Sequence, residues 1–203
     1  MAKIIRTSAM SNGFYNKDRF LISLFFALGI GILIGSIASG SNFSNENSIL
    51  FKMHNSYIQS RSEQSFLELF WGVFLSEFLY LLICYILGLC AIGIPFLYTI
   101  PLIYGIGKGI ILGFLYAEGG FSGILNSILF YSVQGVGLSS VLIIALKKSY
   151  KMSLQAFSSI NSSSRNSKNI TLKKYNQFYI IILLIAVLFC AVDALMFKIN
   201  VFN

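Results

Sequence analysis

Charge is what this chain has least of, and the shortage falls mainly on the acids. Seven acidic residues and one histidine stand among 203 positions, with charged residues at 11% against 56% hydrophobic ones. A water-soluble domain carries about a quarter charged residues, so that class is excluded and an integral membrane protein is expected. Hydrolytic chemistry lacks its parts as well. The single histidine, His54, lies outside the apolar runs, and those runs assemble no serine with a base, no metal cluster and no paired acids. Gly137-Leu138-Ser139-Ser140-Val141 begins like a nucleophile elbow but lacks its final glycine. Gly107-Lys108 fails as a phosphate loop, because the first glycine is missing and Gly109 stands where Ser or Thr must hold magnesium. A non-enzyme with neither cofactor nor metal is the expectation. The three cysteines, Cys84, Cys90 and Cys190, all lie in apolar segments, where a thiol serves as a small packing group. No basic stretch is interleaved with aromatics, so the net charge of +8 points to orientation and lipid contact before nucleic acid.

What the chain does have is long apolar runs. A helix crossing the hydrocarbon needs about 20 mostly apolar residues, and that window finds five: Phe20–Ser39, Phe70–Ile92, Pro95–Ala117, Ile124–Leu146 and Phe178–Met196. The first run is too long for the apolar part of a signal peptide and reads as a retained span. The expected fold is an all-α polytopic bundle of five transmembrane helices forming a single membrane domain over residues 1–203.

Lysine and arginine near span ends stay on the cytoplasmic side. The tail over residues 1–19 carries Lys3, Arg6, Lys17 and Arg19 against Asp18, a balance of +3. The loop over residues 40–69 has Lys52 and Arg61 against Glu46, Glu63 and Glu68, a balance of −1. The segment over residues 147–177 holds Lys147, Lys148, Lys151, Arg165, Lys168, Lys173 and Lys174 with no acid, a balance of +7. An amino terminus inside and a carboxyl terminus outside satisfies all three, and an odd number of spans requires it. Ser65-Phe66-Leu67-Glu68 has the form of a capping box that starts the second helix near Phe66. The Gly93–Pro95 stretch leaves room for a tight turn, so spans two and three form an antiparallel hairpin. A second tight connection is expected at Glu118–Gly123. Within the basic segment, Tyr150, Leu154 and Phe157 recur at helical spacing among lysines, which suits a short helix on an anionic leaflet or an ordinary solvated run. Residues 158–169, rich in Ser and Asn, read as a flexible linker.

Two features inside the spans call for a cause. Each helical glycine costs about 1 kcal/mol relative to alanine, yet Gly105, Gly109 and Gly113 recur at four-residue spacing, as do Gly31 and Gly35. In lipid that spacing allows close helix contact. The second feature is Lys108, since a lysine near mid-span costs about 2.5–3.5 kcal/mol and needs a partner. At 1.5 Å per residue, Lys108 lies roughly 20 Å above Pro95, and Glu77 roughly 24 Å above Gly93 on the antiparallel neighbour. By the same rise Asp193 falls roughly 22 Å beyond Phe178, and Gln134 about 15 Å below Ile124. A Glu77–Lys108 pair is expected, with Gln134 and Asp193 in the same layer and one acid in excess. Such a layer either holds helices in register or marks an ion or proton pathway, as in a small transporter or permease subunit. The chain shows no inverted repeat.

From Leu81 to Leu146 the chain carries a leucine-rich span closing on Leu87-Gly88, then Ile92-Gly93-Ile94-Pro95, Gly107-Lys108-Gly109, Gly113-Phe114 and a glutamine, Gln134, in span four. In order and spacing this resembles the stage II sporulation protein M family. The likeness touches Gly93, Pro95, Lys108, Gly109, Gly113 and Gln134, although Val133-Gln134-Gly135 stands where the family pattern has Pro-Gln-Asn. It implies a multi-pass protein of the bacterial cytoplasmic membrane, on the mother-cell side of the sporulation septum. There it would scaffold sporulation proteins D and P, which cut peptidoglycan during forespore engulfment. It implies no catalysis by the chain itself, membrane lipids as partners, and a homo- or hetero-oligomer.

Overall fold

In the computed structural model the described residues are 2–42, 49, 52, 56, 59, 64–161 and 166–201, with the backbone alone described for 2–18, 41–42, 115, 118–134, 158–161, 166–171 and 197–201. Among the described residues the chain is helical apart from short connections, with no strand. The helices are α1 (Ala2–Asn42), α2 (Phe66–Leu89), α3 (Gly93–Ser132), α4 (Ser139–Asn161) and α5 (Asn166–Val201), and a π-helical turn, Val133–Leu138, joins α3 to α4.

Four stretches are long and apolar enough to cross a membrane: Arg19–Gly40, Phe66–Leu89, Gly93–Phe114 and Leu172–Met196. They match four of the five expected spans to within a few residues, the largest shift being the earlier start of the last one. The first half of the remaining one, Ile124–Leu146, lies outside the residues whose side chains are described, which resume after residue 134. The surface fits a lipid solvent. Phe26, Leu33, Ile37, Leu184 and Leu188 all point outward, more than half exposed, while Glu77, Asp193, Ser39, Ser149 and Ser153 are buried. In water that inversion would be ruinous, and in hydrocarbon it removes polar groups from a medium that cannot solvate them.

Each helix starts or stops for a local reason. Ser65 caps α2 reciprocally: the Ser65 amide donates to Glu68 Oε2 at 2.7 Å and the Glu68 amide donates to Ser65 Oγ at 3.4 Å. At its other end α2 stops at Leu89, where Cys90–Ile92 turns the chain and the Gly93 amide donates to the Cys90 carbonyl at 3.1 Å. Pro95 falls in the first turn of α3, where a missing amide hydrogen costs nothing.

The most extensive packing joins α1 to α3, and the glycines make it possible. A methyl group on Gly109 would strike the backbone of Ile32, with its Cα at 2.8 Å, and one on Gly35 would meet the Ile110 amide at 2.9 Å. Gly31, Gly105 and Gly113 are closed off in the same way by the facing helix. Ser36 Oγ then reaches across to the Gly109 carbonyl at 3.1 Å. Helices α2, α4 and α5 pack together on the other side of α3.

The path through α3 and α4 differs from expectation. Tyr98, near the start of α3, lies against Phe20, and Gly113, further along, lies against Ser36 and Ser39 near the far end of the first span. Gly137 is back beside Phe189, four residues short of Asp193 on α5. The direction of the chain therefore reverses between Phe114 and Gly137. The loop expected at Glu118–Gly123 is nevertheless absent, because helical backbone continues through Ser132. The low helix propensity of glycine, about 1 kcal/mol per residue, is a weak prior that backbone hydrogen bonding overrides next to an apolar solvent.

The basic segment over residues 147–177 is likewise not a loop. Helix α4 extends to Asn161 and α5 begins at Asn166, which also shortens the Ser/Asn linker, and residues 162–165 lie outside the described ones. Nor is Tyr150 part of a separate helix on a leaflet. Its ring stacks on Phe20 at 3.8 Å, and Ser149 and Ser153, on the same helix, are fully buried. Small hydroxyl residues four apart give α4 a face that docks into the bundle.

Candidate functional site

Among the described residues two clusters of polar side chains join α2 to its neighbours. The first lies at mid-height between α2, α3 and α5. Glu77 comes from the buried face of α2 that also carries Val73, Leu81 and Cys84. Tyr104 and Lys108 are one helical turn apart on α3, so they share a face. Tyr104 donates its phenol hydrogen to Glu77 Oε1 at 2.9 Å. The Lys108 ammonium stands 3.8 Å from the same oxygen, an ion pair and not a hydrogen bond, and 5.1 Å from the centre of the Tyr104 ring. Tyr80, one turn beyond Glu77, braces Tyr104 edge-on at 5.1 Å. The side chain of Glu77 is 6% exposed and that of Lys108 is 19% exposed, so the pair sits where charge attraction is weakly screened.

Asp193 is 3% exposed on α5, and it is an electrostatic neighbour of Glu77 and of the Cys190 thiol one turn away. Three helices thus contribute charge to one neighbourhood, one cation and two acids. The Gln134 side chain lies outside the described residues, although its backbone falls within the π-helical turn Val133–Leu138. A π turn in an α-helical path is rare and often sits at a functional position.

The second cluster closes the Cys90 end of the bundle and consists almost wholly of hydroxyls. Ser153 Oγ donates to the Cys90 carbonyl at 2.7 Å and Tyr175 donates to the Tyr85 carbonyl at 3.0 Å. Ser149 Oγ contacts the hydroxyls of both Tyr175 and Tyr179, and Tyr85 donates to Asn176 Oδ1 at 2.9 Å. Gly88 lies beneath this network, where a Cβ would meet the Ser149 backbone at 2.9 Å as well as the Tyr175 hydroxyl. Sequence reasoning passed over the whole cluster, and over Tyr80 and Tyr104. The signals were present as spacing: Ser149 with Ser153, Tyr175 with Tyr179, and Tyr104 with Lys108 are all four apart.

Both clusters are built to join helices. Each of these bonds crosses between elements. A family model described as Stage II sporulation protein M matches residues 22–195, which takes in both clusters and all but the outermost residues of the four candidate spans. No curated protein and no solved structure matches the chain.

Proposed function

The chain belongs to the stage II sporulation protein M family, and from that premise we propose that it is a membrane scaffold, without catalysis of its own, that localises a peptidoglycan-remodelling complex during forespore engulfment. The observation that carries this reading is the family match over residues 22–195, nearly the whole of a multi-pass helical chain. The buried contacts suit the role, because a scaffold needs rigid helices and the two clusters tie α2 to α3, α4 and α5. In this proposal the amino terminus is cytoplasmic, as the basic residues at 1–19 and 147–177 favour, and a fifth span brings the carboxyl terminus outside. The partner-binding surface is the loop over residues 40–69, most of which lies outside the described residues. Its partners are sporulation proteins D and P, on the mother-cell side of the septum.

A pull-down after mild cross-linking in sporulating cells tests this. The scaffold reading expects a wall hydrolase to be captured, and an abundant bait that captures none counts against it. A second reading, a small transporter or permease subunit, draws on one observation, the buried Glu77–Lys108 pair at mid-height. Lys108→Met separates the two. A scaffold loses folded yield or assembly, whereas a carrier loses flux with assembly intact.

A further inference from the structure

Between α1 and α3 lies an open groove of about 590 Å³ on the lipid-facing surface. Its walls are apolar along most of their length, with Ile22, Phe26 and Ile30 from α1 and Leu102 from α3, and one end carries Arg19 and Tyr98. We propose that this groove is a binding site for one anionic phospholipid, with an acyl chain along the apolar walls and the headgroup phosphate at the Arg19 guanidinium. The proposal is independent of the scaffold reading.

The groove's length argues for this occupant. From Arg19 to Ile30 the helix rises about 16 Å, close to half of a hydrocarbon core of about 30 Å. A groove that runs from the interface to mid-bilayer accommodates the chain of a single leaflet. A partner's transmembrane helix would call for a seam through both leaflets, and here the seam ends where Gly31 and Gly35 bring α3 against α1.

The charge at the mouth argues for an anion. A guanidinium offers a planar fork of donors that matches phosphate oxygens. Tyr98 is held in place by the buried ring of Phe20, edge-on at 5.2 Å, and Phe20 in turn stacks on Tyr150 of α4. That contact fixes the level of Tyr150, and with it the flanking Lys147 and Lys151, near the headgroup region at the same end of the bundle. Against these cations stands Asp18, whose side chain is outside the described residues. Two other large grooves have no charged residue among their lining side chains.

The test uses the full-length protein purified in mild detergent, with dioleoyl phosphatidylglycerol and dioleoyl phosphatidylcholine as probes. Native mass spectrometry counts retained lipids. The wild type is expected to hold one phosphatidylglycerol in preference to phosphatidylcholine, and Arg19→Gln is expected to lower that preference about fivefold, the effect of one basic residue at an anionic headgroup. Ala27→Phe, which fills the groove floor and leaves Arg19 in place, is expected to lower retention of both lipids. An Arg19→Gln protein with the wild-type preference, or an Ala27→Phe protein with wild-type retention, overturns the site. Should either variant fail to elute as a folded species, a phosphatidylglycerol bearing a mid-chain diazirine decides on the wild type. Labelling concentrated at Ile30 and Leu102 supports the groove, and labelling spread evenly over all exposed faces refutes it.

Discussion

Replacing Lys108 with methionine isolates the ion pair from its surroundings, because methionine keeps most of the apolar stem of the side chain and removes the ammonium group. The variant leaves Glu77 with the Tyr104 hydroxyl, 2.9 Å away, as its hydrogen-bond donor in the cluster, and Asp193 nearby as a second acid. Removing one partner of a buried pair typically costs about 3–5 kcal/mol. A carboxyl can escape part of that cost by taking up a proton, and from an ordinary value near 4.3 this costs about 3.7 kcal/mol at pH 7. That figure is a ceiling. The retained bond from Tyr104 reduces the loss further, so Lys108→Met is expected to destabilise the bundle by about 2–3 kcal/mol, or roughly 4–12 °C in midpoint for a chain of this size. The double variant Glu77→Gln/Lys108→Met keeps an acceptor for Tyr104 and buries no net charge at that point. It is expected to recover to within about 1 kcal/mol of the wild type. The assay is a thermal melt of the four proteins of this cycle in one detergent, where the coupling between the two positions is the quantity read. A Lys108→Met protein that melts with the wild type, or a double variant no better than the single, refutes the claim that this lysine is held by its acid.

Four further outcomes follow from other contacts. Gly109→Ala is expected to cost at least about 2 kcal/mol by forcing α1 off α3, because the obstructing atoms belong to the Ile32 backbone. Gly107→Ala, with nothing within 4 Å of the new methyl, is expected to be neutral or to stabilise by up to about 1 kcal/mol, and a melt of the two side by side checks the contrast. Ser153→Ala removes one of the two bonds to the Cys90 carbonyl, which keeps the Gly93 amide as a donor, for a loss of about 0.5–1.5 kcal/mol, read as faster amide exchange at the Gly93 turn. Ser65→Ala is expected to cost about 1 kcal/mol and to fray only the first turn of α2, which exchange at Leu67 and Glu68 reports.

The sequence carried the levels of the buried groups, because helical rise is nearly constant and counting residues from a span edge is arithmetic. Glu77 and Lys108 were placed at one height that way. It carried the capping box at Ser65 for a similar reason, since both halves of the box are local. Connections were less legible. The Glu118–Gly123 stretch has the composition of a turn, but composition reports a preference of about 1 kcal/mol per glycine, a weak prior beside backbone hydrogen bonding. Hydroxyl clusters were the least legible. Serine and tyrosine occur in every environment, and only the partner across the interface distinguishes Ser149, buried against two tyrosines, from a serine facing solvent.

Height alone does not make a contact, because a helix also has to be turned the right way. Successive residues on α3 are separated by about 100° around the axis. Gly105 and Gly109 therefore lie on a face about 100° away from the one that carries Tyr104 and Lys108. Once α1 seats its own glycines on the first face, the rotation of α3 is fixed, since no other face lets the backbones approach so closely. The second face then has no freedom left, and it is turned toward α2, where Tyr104 and Lys108 meet Glu77. The glycine spacing and the isolated lysine, which read as two separate oddities along the sequence, are thus one device. The close packing of α1 sets the angle at which the charge on α3 finds its acid.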